Sequence, residues 1–562
     1  MSRGHVRRMQ ARLAAIRSRL SPAMLGYLAA AYALMLLLAF WVPGNDFDSM
    51  TSYVTRIKLE QLGPLRETAT LEIQYTFPKF FDYLHAPFLR WGYFTVFPSF
   101  ALFHVLLAIL ALGFRPRIAL AALYLVGICQ PILVGATALK NDLALGVFAL
   151  VAWRLIFYLP KSPFYPAACG LALAALAGTK WHGFLLAAPL GLCWLWQLGV
   201  GRKWSWGGLW VLACSLPVLW VVGSGDVYVD NLRHEGSLFP RPDFAREGPP
   251  NFPANLGRFA VTTALETFEV PIALADRKLR GTIWPHLQTL TGGSKAWGYA
   301  LLPSPLLSVY GISILVVIAA CAVAIFRRTC PRPVRAGAAI ALVYLVLSLA
   351  MLRHLSSQNR YFIPTYVLGV LPTAYVASEL GILRALLQRR LLRWALAAYL
   401  VVTIGHVLLF TAEKPLLSLW VYTAREREYV RVESIFSRFW DREAFYLESG
   451  KGYRDTFDFA RSRILPSDGL LVINRATGND APYLYPFLMH REAANTRVVS
   501  DRTGYRLDPD FPDTFKYVLV YRGELDDPRY EVVHDYGGPG HCGRMLIYRR
   551  RDEPPRHRPM LE

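Results

Sequence analysis

The sequence predicts a mainly α, polytopic membrane protein of about 11 transmembrane helices, followed by a small C-terminal α/β soluble domain. Three observations predict it. Of the 562 residues, 54% are hydrophobic and only 18% charged, and the mean hydropathy is +0.29, a balance foreign to soluble globules. Apolar runs of roughly 20 residues, the length that crosses about 30 Å of hydrocarbon, recur through 1–411. Beyond them, 412–562 carries 24 Lys+Arg and 24 Asp+Glu, and its apolar residues come in short runs.

The basic segment MSRGHVRRMQARLAAIRSRL leads into the first run, 24–42. That run is long and lacks a small-residue cleavage site, so it reads as an uncleaved first helix. Further runs fall at 97–114, 118–138, 143–160, 164–179, 181–198, 205–223, 301–326, 336–352, 361–378 and 394–411. With the N-terminus inside, every second connection is basic: Arg115 and Arg117, Lys161, Arg202 and Lys203, Arg327 to Arg335, Arg384 to Arg393, against the single acid Glu379. The outer loops are balanced, five basic to six acidic residues in 43–96 and eight to eight in 224–300. This positive-inside pattern puts 412–562 outside. It also accounts for the net charge of +21, which gives no reason to invoke nucleic acid.

The tail opens with AREREYVRVESIFSRFWDREAFYLE, read as an amphipathic helix. GLLVINRA, TRVVS, KYVLVYRG, YEVVHDYG and RMLIYRR follow as strands between Pro, Gly and Asp turns. Seven cysteines, five of them inside apolar runs, form neither a disulfide framework nor a CxxC site.

Chemistry-bearing residues gather on the outer side. Asp46 and Asp48 follow the first run in WVPGNDFDSMTSYVTRIKLEQLG; either also suits a helix cap. Three short outer turns carry Lys140, Asn141 and Asp142; Lys180 and His182; and Arg353, His354, Arg360 and Tyr361. A single cation at an interface reads as a snorkelling side chain. Four of them on the outer face, Lys140, Lys180, Arg353 and Arg360, run against the topology bias and mark a functional site. Together they suit a lipid phosphate. A neighbouring carboxylate as general base, with cations stabilising the departing phosphate, is the equipment for group transfer from that lipid. No Walker A, GxGxxG, GxSxG or HExxH pattern occurs in a useful context.

The order FDSMTSYVTRI, ALKNDLALGVF, GLALAALAGTKWHGFLL and RYFIP, ahead of an outer soluble domain, resembles the GT-C superfamily of membrane glycosyltransferases. These are polyprenyl-phosphate-sugar-dependent enzymes that include protein O-mannosyltransferases and lipid A aminoarabinose transferases. The resemblance implies an inverting transfer with Asp48 as catalytic base, Asp142 as the second acidic position, Lys180 as a mid-chain cation and Arg360 as the late arginine. The first loop lacks the Asp-Glu pair frequent in those branches, which leaves the base between Asp48 and Asp46. Lys140, Lys180, Arg353 and Arg360 are the donor-phosphate candidates. Tyr53, Arg56, His85, Asn141, His182 and Tyr361 are the substrate-binding candidates. No cofactor is required; some distant relatives use a divalent metal held by paired acids, for which Asp48 and Asp142 are the residues available to Mg or Mn.

The expectation is therefore a transmembrane catalytic domain over 1–411, with outer loops 43–96 and 224–300, and an extracytoplasmic α/β domain over 412–562. The partners are a polyprenyl-phosphate-linked sugar donor, a glycan, lipid or protein acceptor, and membrane lipids, with no nucleic acid. The expected place is a bacterial inner (plasma) membrane, N-terminus cytoplasmic and C-terminal domain periplasmic. The competing readings are an oligosaccharide ligase, which wants a larger late outer loop than 353–360, and a transporter or flippase of a lipid-linked sugar, which wants charges near the midplane and repeated halves. A structural subunit is a third.

Overall fold

The computed structural model describes residues 3–18, 20–42, 53–69, 72–90, 96–240, 251–267, 312–351, 360–410, 416–423, 428–432, 434–438, 454–475, 484–500, 515–536 and 544–551. After α1 (Arg3–Arg17), α2 (Pro22–Trp41) starts where Ser21 Oγ accepts from Met24 N at 3.2 Å and Pro22 occupies the first turn. The first loop, which follows α2, is built from α3 (Val54–Leu62), α4 (Leu65–Thr68), α5 (Glu72–Thr76) and α6 (Phe80–Arg90). Then come α7 (Phe97–Gly113), α8 (Pro116–Gly127), α9 (Gln130–Ala136), α10 (Asn141–Tyr158), α11 (Tyr165–Thr179), α12 (Gly183–Gly199), α13 (Trp206–Val222), α14 (Gly225–Glu235) and α15 (Phe252–Thr267). The helical part ends with α16 (Ile312–Phe326), α17 (Arg332–Met351), α18 (Ile363–Glu379), α19 (Ile382–Gln388) and α20 (Arg390–Phe410).

Among the described residues, α2, α10, α17 and α20 are long and apolar enough to cross a membrane, and the count rises to six if two bent pairs each form one span. α7, α11, α12 and α16 are apolar but shorter. These helices make the chain an integral membrane protein. The run 118–138 is not one straight span: α8 and α9 meet at 78°. Pro131 explains the break, because it lacks the N–H an interior helical position needs and its ring clashes with the preceding turn. The next such bend, 59° between α13 and α14, carries Ser224 at φ 55.

The middle of the bundle is α18, buried continuously from Ile363 to Ala374. A helix apolar and buried on every side belongs in a core. Its neighbours come unusually close: a Cβ at Gly369 would meet Val317 Cγ1 of α16 at 2.3 Å. Tyr366 Oη donates to the Leu125 carbonyl at 3.0 Å, and Tyr344 Oη of α17 to the Tyr361 carbonyl at 2.9 Å, which fixes the start of α18.

The tail differs from expectation at its opening. Leu419–Thr423 (β1) and Glu428–Val432 (β2) form an antiparallel hairpin, Tyr422 opposite Tyr429, followed by a 3₁₀ turn at Ile435–Arg438. LWVYT and EYVRV are rich in aromatic and β-branched residues, which suit a strand better than a helix. The five expected strands are present: β3 (Leu470–Asn474), β4 (Thr496–Ser500), β5 (Tyr517–Tyr521), β6 (Tyr530–Tyr536) and β7 (Met545–Arg550). Their order is β4-β3-β5-β7-β6. β3 lies parallel to β4 and β5, while β7 is antiparallel to β5 and β6. β3 and β5 are buried at all five positions, as unbroken apolar runs in a covered sheet should be.

One face of this sheet is covered by the helix Arg454–Arg463 and by the first loop. Leu59, Leu62 and Leu65 share a core with Phe457, Leu470, Leu488, Val498 and Leu519. Lys58 Nζ donates to the Arg491 carbonyl at 2.6 Å, and Arg491 in turn caps the carbonyls of Leu465 and Asp468, each at 2.9 Å. The first loop and the C-terminal sheet thus form one packed unit, although more than 350 residues separate them in the chain.

Candidate active site

Three helix ends converge. Asp142 sits in the first turn of α10, Lys180 directly follows α11, and Arg360 lies three positions before the start of α18. Gly178 makes the approach feasible: a Cβ there would lie 1.8 Å from the Val222 carbonyl oxygen and 2.9 Å from Phe80 Cβ. Only a glycine fits where α6, α11 and α13 touch.

Asp142 is 3% exposed and Lys180 6%. Lys180 Nζ donates to Asp142 Oδ1 at 2.6 Å, and Arg360 Nε lies 3.4 Å from Oδ2. Lys180 Nζ also stands 4.1 Å above the centre of the Tyr361 ring, a contact worth about 0.5–2 kcal/mol. The His182 ring meets Tyr361 edge-on at 4.8 Å. Asn141 Nδ2 donates to the Thr179 carbonyl at 3.2 Å, tying α10 to the end of α11. Lys140 is buried at the position before α10. One carboxylate therefore faces two cations, with a third nearby in sequence, and buried charge demands balance. Among the described residues the cluster holds more cations than carboxylates, and Arg360, whose side chain keeps 18% exposure, gives it an edge that suits an anion.

Of the residues singled out from the sequence, the structure brings together Asn141, Asp142, Lys180, His182, Arg360 and Tyr361, with Lys140 beside them. Asp46, Asp48, Arg353 and His354 lie outside the described residues. Tyr53, Arg56 and His85 gather at a different place, around α6. Arg56 pairs with Asp82, both almost fully buried, and donates to the Phe77 carbonyl at 3.1 Å and the Pro78 carbonyl at 2.7 Å. Tyr53 packs edge-on against Phe81 at 5.2 Å, and His85 against the same ring at 4.5 Å. Burial pushes the Asp82 carboxyl up to about 7, against the pull of Arg56.

Sequence reading missed Asp82 and Trp181. Asp82 sits in the aromatic run FFDYLHAPF, whose lone acid was the available signal. Trp181 packs against Phe77 with ring centres 4.4 Å apart and planes tilted by 52°, so the loop held by Arg56 reaches the residue next to Lys180.

As to a metal, both oxygens of Asp142 face cations, a donor set that repels a divalent ion. The described residues do not fit a metal, and no step is routed through one.

No family model matches the chain, and no curated protein matches it. Two solved structures are similar: ArnT from Cupriavidus metallidurans in the apo state, 12% identical with a TM-score of 0.45, and ArnT from Cupriavidus metallidurans bound to undecaprenyl phosphate, 13% identical with a TM-score of 0.47. Each match covers 93% of this chain and 97% of the other. Likenesses this distant carry no function across.

Proposed function

We propose that this chain is an inverting glycosyltransferase that moves a sugar from a polyprenyl-phosphate donor to an acceptor hydroxyl on the outer, periplasmic face of a membrane crossed by about 11 helices. The observation that carries the reading is the buried Asp142 carboxylate shared by Lys180 and Arg360 at three helix ends. Cations gathered at the edge of an apolar bundle have a natural counterion in a lipid phosphate, whose tail lies in the bilayer and whose charge does not. The cluster stands at helix ends and not at mid-span, where a transporter's charges belong.

In this reading Asp48 or Asp46 takes the proton from the acceptor hydroxyl. The acceptor oxygen attacks the anomeric carbon from the face opposite the phosphate, the C1–O bond breaks, and the electron pair leaves with the phosphate. Lys180 and Arg360, with Lys140 and Arg353, stabilise the charge that gathers on the leaving oxygens. Asp142 holds the two nearest cations apart and in place. The phosphate leaves readily, so the reaction needs no nucleotide or redox group.

The test supplies purified protein with a pool of polyprenyl-phosphate sugars and a glycolipid extract, and follows products by mass spectrometry. Free polyprenyl phosphate should appear together with a sugar-sized mass gain on an acceptor in wild type, and neither should appear with Asp48→Asn and Asp46→Asn combined. Donor that binds but is never cleaved by wild type would overturn the reading.

A further inference from the structure

The protein's own contacts leave a set of polar atoms beside the Asp142 cluster unused. Asn141 Oδ1, Trp181 Nε1 and His182 Nδ1 are all buried and accept or donate no hydrogen bond within the chain. The three residues flank Asp142 and Lys180 on the two facing segments. Buried polar atoms are nearly always satisfied in native proteins, and a group of exceptions in one place calls for a ligand or ordered solvent.

Each side chain is anchored by a contact that leaves its polar edge free. Asn141 is 3% exposed, and its amide nitrogen is committed to the Thr179 carbonyl, so the oxygen is the acceptor left over. The Trp181 ring packs at a tilt against Phe77 and the His182 ring meets Tyr361 edge-on. Both contacts use ring faces and edges, not the nitrogens.

The chemistry of the missing partner follows. The Asn141 oxygen needs a donor, and the Trp181 nitrogen needs an acceptor. A phosphate ester at neutral pH offers essentially acceptors, and an isoprenoid chain offers neither. A hydroxyl offers both, and adjacent hydroxyls on a sugar ring meet both demands at once. We infer that Asn141, Trp181 and His182 form a subsite for the hydroxyl-bearing sugar ring of the donor, next to the cations that hold its phosphate. This assignment rests on the glycosyl-transfer reading and adds where the sugar, as distinct from the lipid phosphate, is recognised.

Trp181→Phe removes the indole N–H and keeps an aromatic ring against Phe77. Full-length protein in lipid nanodiscs would be titrated with bare polyprenyl phosphate and with mannosyl-, arabinosyl- and aminoarabinosyl-phosphate polyprenols. The subsite predicts that Trp181→Phe weakens the tightest sugar-bearing lipid by about 5- to 10-fold, the worth of one hydrogen bond, and leaves the bare lipid unchanged. An equal loss for both lipids, or no loss for either, overturns the subsite and leaves the transfer reading standing. Wild type that prefers no sugar-bearing lipid over the bare one also overturns the subsite. Wild type that binds none of the four overturns both. Bare-lipid binding serves as the folding control.

Discussion

Two buried ion clusters stand on the same side of this molecule and are built to opposite rules. In the Arg56–Asp82 pair, one cation meets one anion, and the guanidinium is saturated further by the Phe77 and Pro78 carbonyls. In the Asp142 cluster, two cations share one carboxylate, and the surrounding Asn141, Trp181 and His182 keep unused polar atoms. The first ties α3 to α6 and to the carbonyls of Phe77 and Pro78, and suits a structural pin for the first loop. The second keeps unused polar atoms on Asn141, Trp181 and His182 side by side and suits a ligand.

The comparison breaks most sharply by removing one cation from each. Arg56→Ala leaves Asp82 buried without its partner and should cost about 3–5 kcal/mol of stability, read as a large drop in the thermal unfolding midpoint. Lys180→Ala leaves Asp142 paired with Arg360, so its midpoint should move far less. Its sugar transfer should fall about 10²- to 10³-fold, as for loss of one stabilising donor in a site of developing charge. Equal effects of the two variants on stability would erase the distinction.

A smaller effect tests how the pinned loop joins the tail. Lys58→Met removes the donor to the Arg491 carbonyl while retaining the aliphatic stem, and should cost about 1–3 kcal/mol. Limited proteolysis should then cut the C-terminal domain faster. The smallest effect is a pH dependence. The folded Asp82 value of about 7 lies above its ordinary 3.8, so the folded state holds the proton more tightly than the unfolded one. The stability this contributes is complete below about pH 4 and is lost as pH rises through about 7. The midpoint of wild type minus that of Asp82→Asn should fall across that window; a flat difference would show that Arg56 keeps Asp82 ionised throughout.

The bundle was legible because hydrocarbon thickness sets helix length; the starts of α10 and α18 lie within two residues of the apolar runs that announce them. The five strands of the tail were legible from GLLVINRA to RMLIYRR by composition and turns. The β1–β2 hairpin was not, since Arg and Glu spaced through AREREYVRVE mimic a helix face. Of the site, the meeting of Asp142, Lys180 and Arg360 followed from sidedness and short turns. The Arg56–Asp82 pair did not, because nothing local in FFDYLHAPF names a partner 26 positions earlier. For the same reason the packing of Leu59 and Leu62 into the C-terminal core was out of reach.

The central claim is that the Asp142 cluster holds the phosphate of a lipid-linked sugar during transfer. Its most direct test measures free polyprenyl phosphate released per enzyme with a polyprenyl-phosphate sugar and acceptor extract, for wild type, Lys180→Ala and Arg360→Ala, at a temperature where all three remain folded. The account predicts release by wild type, a fall of about 10²-fold or more in each variant, and weaker retention of bare polyprenyl phosphate by both. Undiminished release and retention in the two variants would contradict it.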